Sequence, residues 1–143
     1  MNPVVVDSNY FLGVVTSPGP TERRDLARLP AQLFELARTD VVQFTTSEAV
    51  LAEVIWVMTK QYGLDRETVV RRVSGLLSLP GCRFPSRQLC KAALGLWVDT
   101  PALDFPDALV ALQAEEGDAD LATLDRRLAR LTKATIWEPP AVP

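Results

Sequence analysis

Val4-Val5-Val6-Asp7-Ser8-Asn9-Tyr10-Phe11-Leu12 is the stretch on which the fold turns. Three β-branched residues in a row read as a short buried strand. Asp-Ser-Asn directly after them supplies the residue types that begin helices. A strand running straight into a helix is half of a βα unit, and it leaves Asp7 at the strand's carboxyl end. Downstream the alternation recurs. Leu33, Phe34, Leu36 and Ala37 have helical spacing within Ala31 to Arg38, and Val41 to Phe44 has the β-branched and aromatic character of a second strand.

Between these two units lies Ser17-Pro18-Gly19-Pro20, the clearest loop in the chain, followed by the charged stretch Thr21 to Leu29. Ser17–Leu29 is therefore expected to be a loop or insertion, with Thr21 to Leu29 either a short helix or a mobile segment. The strongest helix runs from Ser47 to about Gln61, capped by Thr46 or Ser47 and lined by Val50, Leu51, Val54, Ile55 and Met58. Asp65 to Leu77 makes another amphipathic helix, stopped by Pro80-Gly81, and Cys82 to Phe84 offers a short third strand before a helix from about Ser86 to Trp97. Asp104-Phe105-Pro106-Asp107 opens the next helix, with proline in the first turn where it is tolerated, and Gly117 closes it. Leu121 to Leu124 reads as a buried strand, Asp125 begins a short helix, Ala134 to Ile136 is a possible last strand, and Pro139–Pro143 is an irregular tail. Strands alternating with helices predict an α/β fold with a mainly parallel sheet covered on both faces. In such sheets the ligand crevice lies outside the carboxyl ends of the strands, where Asp7 and Asp125 would sit.

At 143 residues the chain has the size of one globular domain, 1–143, large enough to bury a core without disulfides or structural metal. A 48% hydrophobic and 23% charged composition fits a compact protein, and no apolar run is long enough to cross a bilayer. No secretory signal is evident at Met1, and Cys82 and Cys90 form no CxxC pair, which together favour reduced thiols and a cytoplasmic location. The net charge of −3 gives no overall basic footprint for duplex DNA. Two local basic groups remain, Arg23, Arg24 and Arg28, and Arg126, Arg127, Arg130 and Lys133; taken alone, each reads as a solvated helix face more readily than as a nucleic-acid contact.

Four carboxylates carry the chemistry: Asp7, Glu53, Asp107 and Asp125. The chain has no histidine, so the usual neutral-pH proton shuttle and borderline-metal ligand are both missing. Acid-rich chemistry then points to a hard, oxygen-bound cation such as Mg²⁺ or Mn²⁺. Asp7 and Asp125 could each serve simply as a helix N-cap. Asp104 and Asp107, three apart at a helix start, divide into a cap (mainly Asp104) and a site residue (mainly Asp107). Glu53 borders the Val50, Val54, Val57 stripe, at the edge of the buried face, with Glu48 as the competing acid at the opposite margin. Clustered carboxylates repel one another and resist joint ionisation, and a divalent cation reverses that balance. It also makes a bound water more acidic, so a phosphoryl-transfer site of this kind needs neither histidine nor a protein nucleophile.

In order along the chain, four segments resemble the PIN-domain nucleases, particularly the VapC-type toxin ribonucleases of toxin–antitoxin pairs. They are Val4 to Leu12, Ser47 to Val57, Asp104 to Ala111 and Ala122 to Leu128. Leu124 departs from the family, which commonly has an aromatic before its last acid, and Ser17 to Leu29 departs as an insertion. The resemblance implies a PIN-like three-layer α/β/α fold and a Mg²⁺- or Mn²⁺-dependent endoribonuclease that hydrolyses RNA with an activated water. Asp7, Glu53, Asp107 and Asp125 would hold the metal, with Asp104 as accessory, Thr123 as a pocket neighbour, and Arg126 and Arg127 facing the RNA backbone. It further implies a homodimer silenced by a small antitoxin protein whose arginine can pair with the acids. A non-catalytic PIN-like RNA- or protein-binding module is the alternative. A phosphatase or response-regulator-like protein with Asp7 as phosphoryl acceptor is less well supported, because no activating neighbour is present.

Overall fold

The computed structural model describes residues 2–16 and 28–142. Most of the Ser17–Leu29 insertion, with Arg23 and Arg24, lies outside the described residues; Arg28 and Leu29 open a helix. The chain divides into two compact units, Met1–Lys91 and Ala92–Pro143.

In the first unit, β1 (Val4–Val5) leads through Asp7 into α1 (Ser8–Val15), and α2 (Arg28–Arg38) leads into β2 (Phe44–Thr45). The strands pair in parallel, Val4 opposite Phe44 and Val5 opposite Thr45, and Phe44 also bridges Cys82 in parallel. The expected third strand is thus a single bridging residue. β2 begins at Phe44 instead of Val41 because Val41 and Val42 donate their N–H groups back to the Leu36 carbonyl, closing the end of α2. Val6 and Phe44 are buried as expected, but Val5 is 77% exposed and Val4 is also exposed. Among the described residues β1 pairs on one side only, which makes it an edge strand. Phe11, Phe34 and Phe44 form the aromatic centre of the unit, with ring centroids 5.3–6.3 Å apart. α1 packs against α2, α3 (Glu48–Trp56) and α4 (Arg66–Leu77).

The single long helix expected from Ser47 to Gln61 starts on time, with Ser47 Oγ accepting from Val50 N–H at 3.2 Å. It changes character at Val57. Val57–Gln61 is a π-helical turn, marked by the wide bond from Tyr62 N–H to the Val57 carbonyl at 3.1 Å. α4 has Asp65 as its N-cap, and Leu51, Val54, Met58, Val69, Val73 and Leu77 fill the interior.

α5 (Arg87–Asp99) contains the boundary between units. The second unit continues with α6 (Phe105–Glu116) and α7 (Arg126–Leu131), around a core that includes Leu94, Trp97, Leu103, Phe105, Ala108 and Leu128. The expected strands at 121–124 and 134–136 reduce to one parallel bridge, Leu121 with Ile136. Leu121 is buried, whereas Leu124 is fully exposed. The reason is local: Thr123 Oγ1 accepts the Asp125 N–H at 3.0 Å and turns the backbone out of the extended course. Gly117 ends α6 as expected, but the left-handed residue there is Asp118, with φ 50°.

Among the described residues there are seven α-helices and one small parallel sheet, so the α/β class holds. No helix of these residues is long and apolar enough to cross a membrane.

Candidate functional site

The first unit supplies Asp7 and Glu53. Asp7 has extended backbone (φ −87°, ψ 169°) and stands as N-cap of α1. Its Oδ1 accepts the Ser8 N–H at 2.7 Å and, more weakly, the Ser8 hydroxyl at 3.4 Å. The capping role and an open oxygen therefore coexist, since Oδ2 takes no hydrogen bond among the described residues. The β1 backbone fixes this start: Val6 N–H donates to the Thr45 carbonyl at 2.9 Å, and Thr46 Oγ1 donates to the Val6 carbonyl at 2.9 Å. Glu53, in the middle of α3, is exposed to solvent rather than set at the margin of the buried face. Glu48, its competitor, is half-buried, and its charge reaches Cys90. Burial, with the Glu48 carboxylate adding to it, pushes the Cys90 thiol up to about 12 from its ordinary 9.0. A protonated, buried thiol is a packing group and no nucleophile.

The second unit supplies Asp104, Asp107 and Asp125. Asp104 occupies the N-cap position of α6 in extended backbone, φ −83° and ψ 162°, yet its side chain makes no cap hydrogen bond. The assignment of Asp104 mainly to the cap is corrected in this respect: Pro106 removes one of the N–H groups that an N-cap carboxylate ordinarily serves. Asp107 lies in the first turn and is half-buried, where the helix dipole favours a negative charge. Asp125 is the N-cap of α7, and its Oδ1 accepts from Arg127 N–H at 2.9 Å and Leu128 N–H at 3.2 Å. Thr123 Oγ1 holds the backbone N–H of Asp125 itself, which gives the residue singled out beside the fourth acid a defined role. Arg126 is exposed, whereas Arg127 Nη1 donates to the Ala102 carbonyl at 3.3 Å and so is tied to its own unit.

Chemically these side chains suit a hard cation. Every donor is a carboxylate oxygen, and Glu53, Asp104 and Asp107 carry no hydrogen bond or ion pair among the described residues. Gathering is another matter. Among the described residues no group of three or more Asp, Glu or Cys side chains is placed to hold one metal ion. One cavity of about 350 Å³ opens in the second unit between the end of α6 and residues 133–135, and none of the five acids lines it. Glu115 on its wall is committed to structure, accepting from Lys133 N–H at 2.6 Å and the Thr132 hydroxyl at 3.2 Å.

One side chain near an acid was not signalled by the apolar pattern. Trp56 is 55% exposed, three residues after Glu53 on the face of α3 opposite the core. The signal was available as an aromatic at a position where the helical period calls for a polar residue.

Comparison with known proteins gives one family. The PIN domain matches the chain over residues 4–134, a span that holds all five acids. No curated protein matches the chain.

Proposed function

Because this chain belongs to the PIN domain family, whose members are generally nucleases, we propose that it is a metal-dependent endoribonuclease of the VapC type. In this reading the chain acts as one domain, folds as three α/β/α layers, works in the cytoplasm as a homodimer, and is held inactive by a small antitoxin protein. The observation that supports it is the order of the acids. Asp7, Glu53, Asp107 and Asp125 fall in sequence within the matched span, two of them at helix starts where one carboxylate oxygen caps and the other is open.

Asp7, Glu53, Asp107 and Asp125 would hold Mg²⁺ or Mn²⁺, with Asp104 as an accessory. Such an ion, when bound, neutralises phosphate charge and makes a water acidic enough to attack phosphorus. The chain's own contribution is placement. The Ser8 and Arg127–Leu128 amides each fix one oxygen of Asp7 and Asp125, so these carboxylates meet a cation already oriented. Arg126, exposed beside Asp125, is a candidate contact to the RNA backbone.

RNA cleavage with Mg²⁺ or Mn²⁺ tests the proposal, in wild type, Asp7→Asn and Asp107→Asn. Asparagine caps a helix about as well as aspartate, so Asp7→Asn keeps the start of α1 while losing the charge. We expect both variants to lose at least about 100-fold in kcat, a scale consistent with removing one group that stabilises the transition state, with thermal midpoints near wild type when measured in chelator. Cleavage that survives chelator or both substitutions would refute a metal-dependent site at these acids. RNA binding without cleavage would favour the non-catalytic module.

A further inference from the structure

Thr46 and Ser47 stand side by side between β2 and α3, and either has the chemistry to cap the helix. Ser47 takes the cap, its Oγ accepting from Val50 N–H at 3.2 Å. That leaves the Thr46 hydroxyl for another partner, and it donates to the Val6 carbonyl at 2.9 Å, 40 residues earlier in the chain. The bond falls where the sheet runs out. Val4 N–H donates to the Gln43 carbonyl at 2.8 Å and Val6 N–H to the Thr45 carbonyl at 2.9 Å, so the next rung of this parallel ladder belongs to Ser47 N–H and the Val6 carbonyl. β2 has already ended at Thr45, and no bond from Ser47 N–H to Val6 forms among the described residues. The Thr46 side chain supplies the missing rung.

The Val6 carbonyl belongs to the planar peptide group that carries the Asp7 N–H. Holding that oxygen holds the chain where it enters Asp7 from the strand. On the helix side, Asp7 Oδ1 accepts the Ser8 N–H at 2.7 Å and the Asp7 carbonyl accepts the Tyr10 N–H at 3.2 Å. Asp7, itself exposed, is thus fixed from both directions, while its Oδ2 takes no hydrogen bond among the described residues. Val6 is buried and Thr46 half-buried, so water replaces the hydroxyl poorly if it is removed. Thr46 also directly precedes the N-cap of α3, whose sixth residue is Glu53. One bond therefore joins the segment that ends in Asp7 to the segment that leads to Glu53.

We propose that Thr46 is a positioning residue of the acidic site: through the Val6 carbonyl it orients Asp7 for a divalent cation and ties the start of α3 to it. This rests on the ribonuclease reading above and adds to it a residue that holds no metal itself. Groups that orient metal ligands without touching the ion contribute about 10–100-fold to metal affinity or activity. Thr46 acts on the backbone at Asp7 and not on its carboxylate, which puts its share at the lower end.

Mn²⁺ affinity of the full chain, read from the electron paramagnetic resonance signal of the free ion, tests this without RNA. Wild type should bind Mn²⁺ in a way that Asp7→Asn loses. Thr46→Val keeps the branched shape without the donor and should weaken that binding about tenfold, whereas Thr46→Ser, which keeps a hydroxyl, should stay within about twofold of wild type. In RNA cleavage the half-saturating Mn²⁺ concentration of Thr46→Val should rise by a similar factor, with KM for RNA nearly unchanged. A hydroxyl that only stabilises the fold lowers the thermal midpoint in chelator and leaves Mn²⁺ affinity alone. That result overturns the positioning role, as does a Thr46→Ser that binds no better than Thr46→Val. If Thr46→Val does not fold, Thr46→Ala takes its place and is judged by the same outcomes. A wild type that cuts RNA with Mn²⁺, beside a Thr46→Val that binds the ion equally well, overturns the positioning role and keeps the ribonuclease. Thr46-dependent Mn²⁺ binding by a chain that cuts no RNA overturns the ribonuclease reading and keeps the positioning role. A wild type with no Asp7-dependent Mn²⁺ binding overturns both.

Discussion

A carboxylate has two oxygens, and Asp7 and Asp125 use theirs differently. In each, Oδ1 caps a helix and Oδ2 has no partner among the described residues, so capping and metal binding do not compete for one atom. The two readings that the sequence left open for these residues are thus compatible. Cys90 shows the opposite economy, a titratable group used only for packing. Its folded thiol titrates near 12 and its unfolded one near 9.0, so the folded state holds a proton that the unfolded chain releases. Cys90's share of stability is whole below pH 9.0 and falls as pH rises from there toward 12. Urea unfolding of wild type and Cys90→Ala between pH 8 and 11 checks this. Cys90→Ala should be less stable at pH 8, from the cavity it opens, yet lose less stability than wild type on going to pH 11. Parallel curves would show that the thiol does not titrate differently in the fold.

Gly81 shows how an element can be set by a backbone approach. The turn after α4 brings it against the end of α2, with Gly81 N–H donating to the Ala37 carbonyl at 2.8 Å and the Gly81 carbonyl accepting from Phe44 N–H at 2.9 Å. A Cβ there would overlap the Val42 carbonyl oxygen and stand 2.9 Å from both Cα and O of Ala37. These are backbone atoms and cannot swing aside. Gly81→Ala should cost about 2 kcal/mol or more, in the range of overpacked sites. Gly75, exposed on α4 with nothing near its missing Cβ, should behave the other way, and Gly75→Ala should gain about 0.5–1 kcal/mol from helix propensity. Urea midpoints of both variants test the pair, and a Gly81→Ala as stable as wild type would mean that β2 and the Cys82 bridge are not packed this closely. Pro80-Gly81 was readable as a stop for α4, but the contact that requires glycine is with residues some forty positions earlier.

Over the whole molecule, the candidate acids are divided between the units, Asp7 and Glu53 in Met1–Lys91 and Asp104, Asp107 and Asp125 in Ala92–Pro143. A cation that binds the folded chain and not the unfolded one raises stability by mass action, about 2.7 kcal/mol at a concentration of 100 Kd. Mn²⁺ should therefore raise the thermal midpoint of wild type by several degrees and leave that of Asp7→Asn unmoved. An equal rise in both would place the ion elsewhere. The sequence by itself determined the α/β class, the helices to within a few residues, a cap at Asp7, at Asp125 and at Thr46 or Ser47, and the order of the acids. All of these are local, since capping, helical period and breakers act over at most a few turns of chain. Tertiary structure alone decided that the third strand is one bridge at Cys82, that Val5 faces solvent, and that Trp56 stands uncovered. Pairing and exposure depend on which distant segment arrives alongside, and no residue's own chemistry states that.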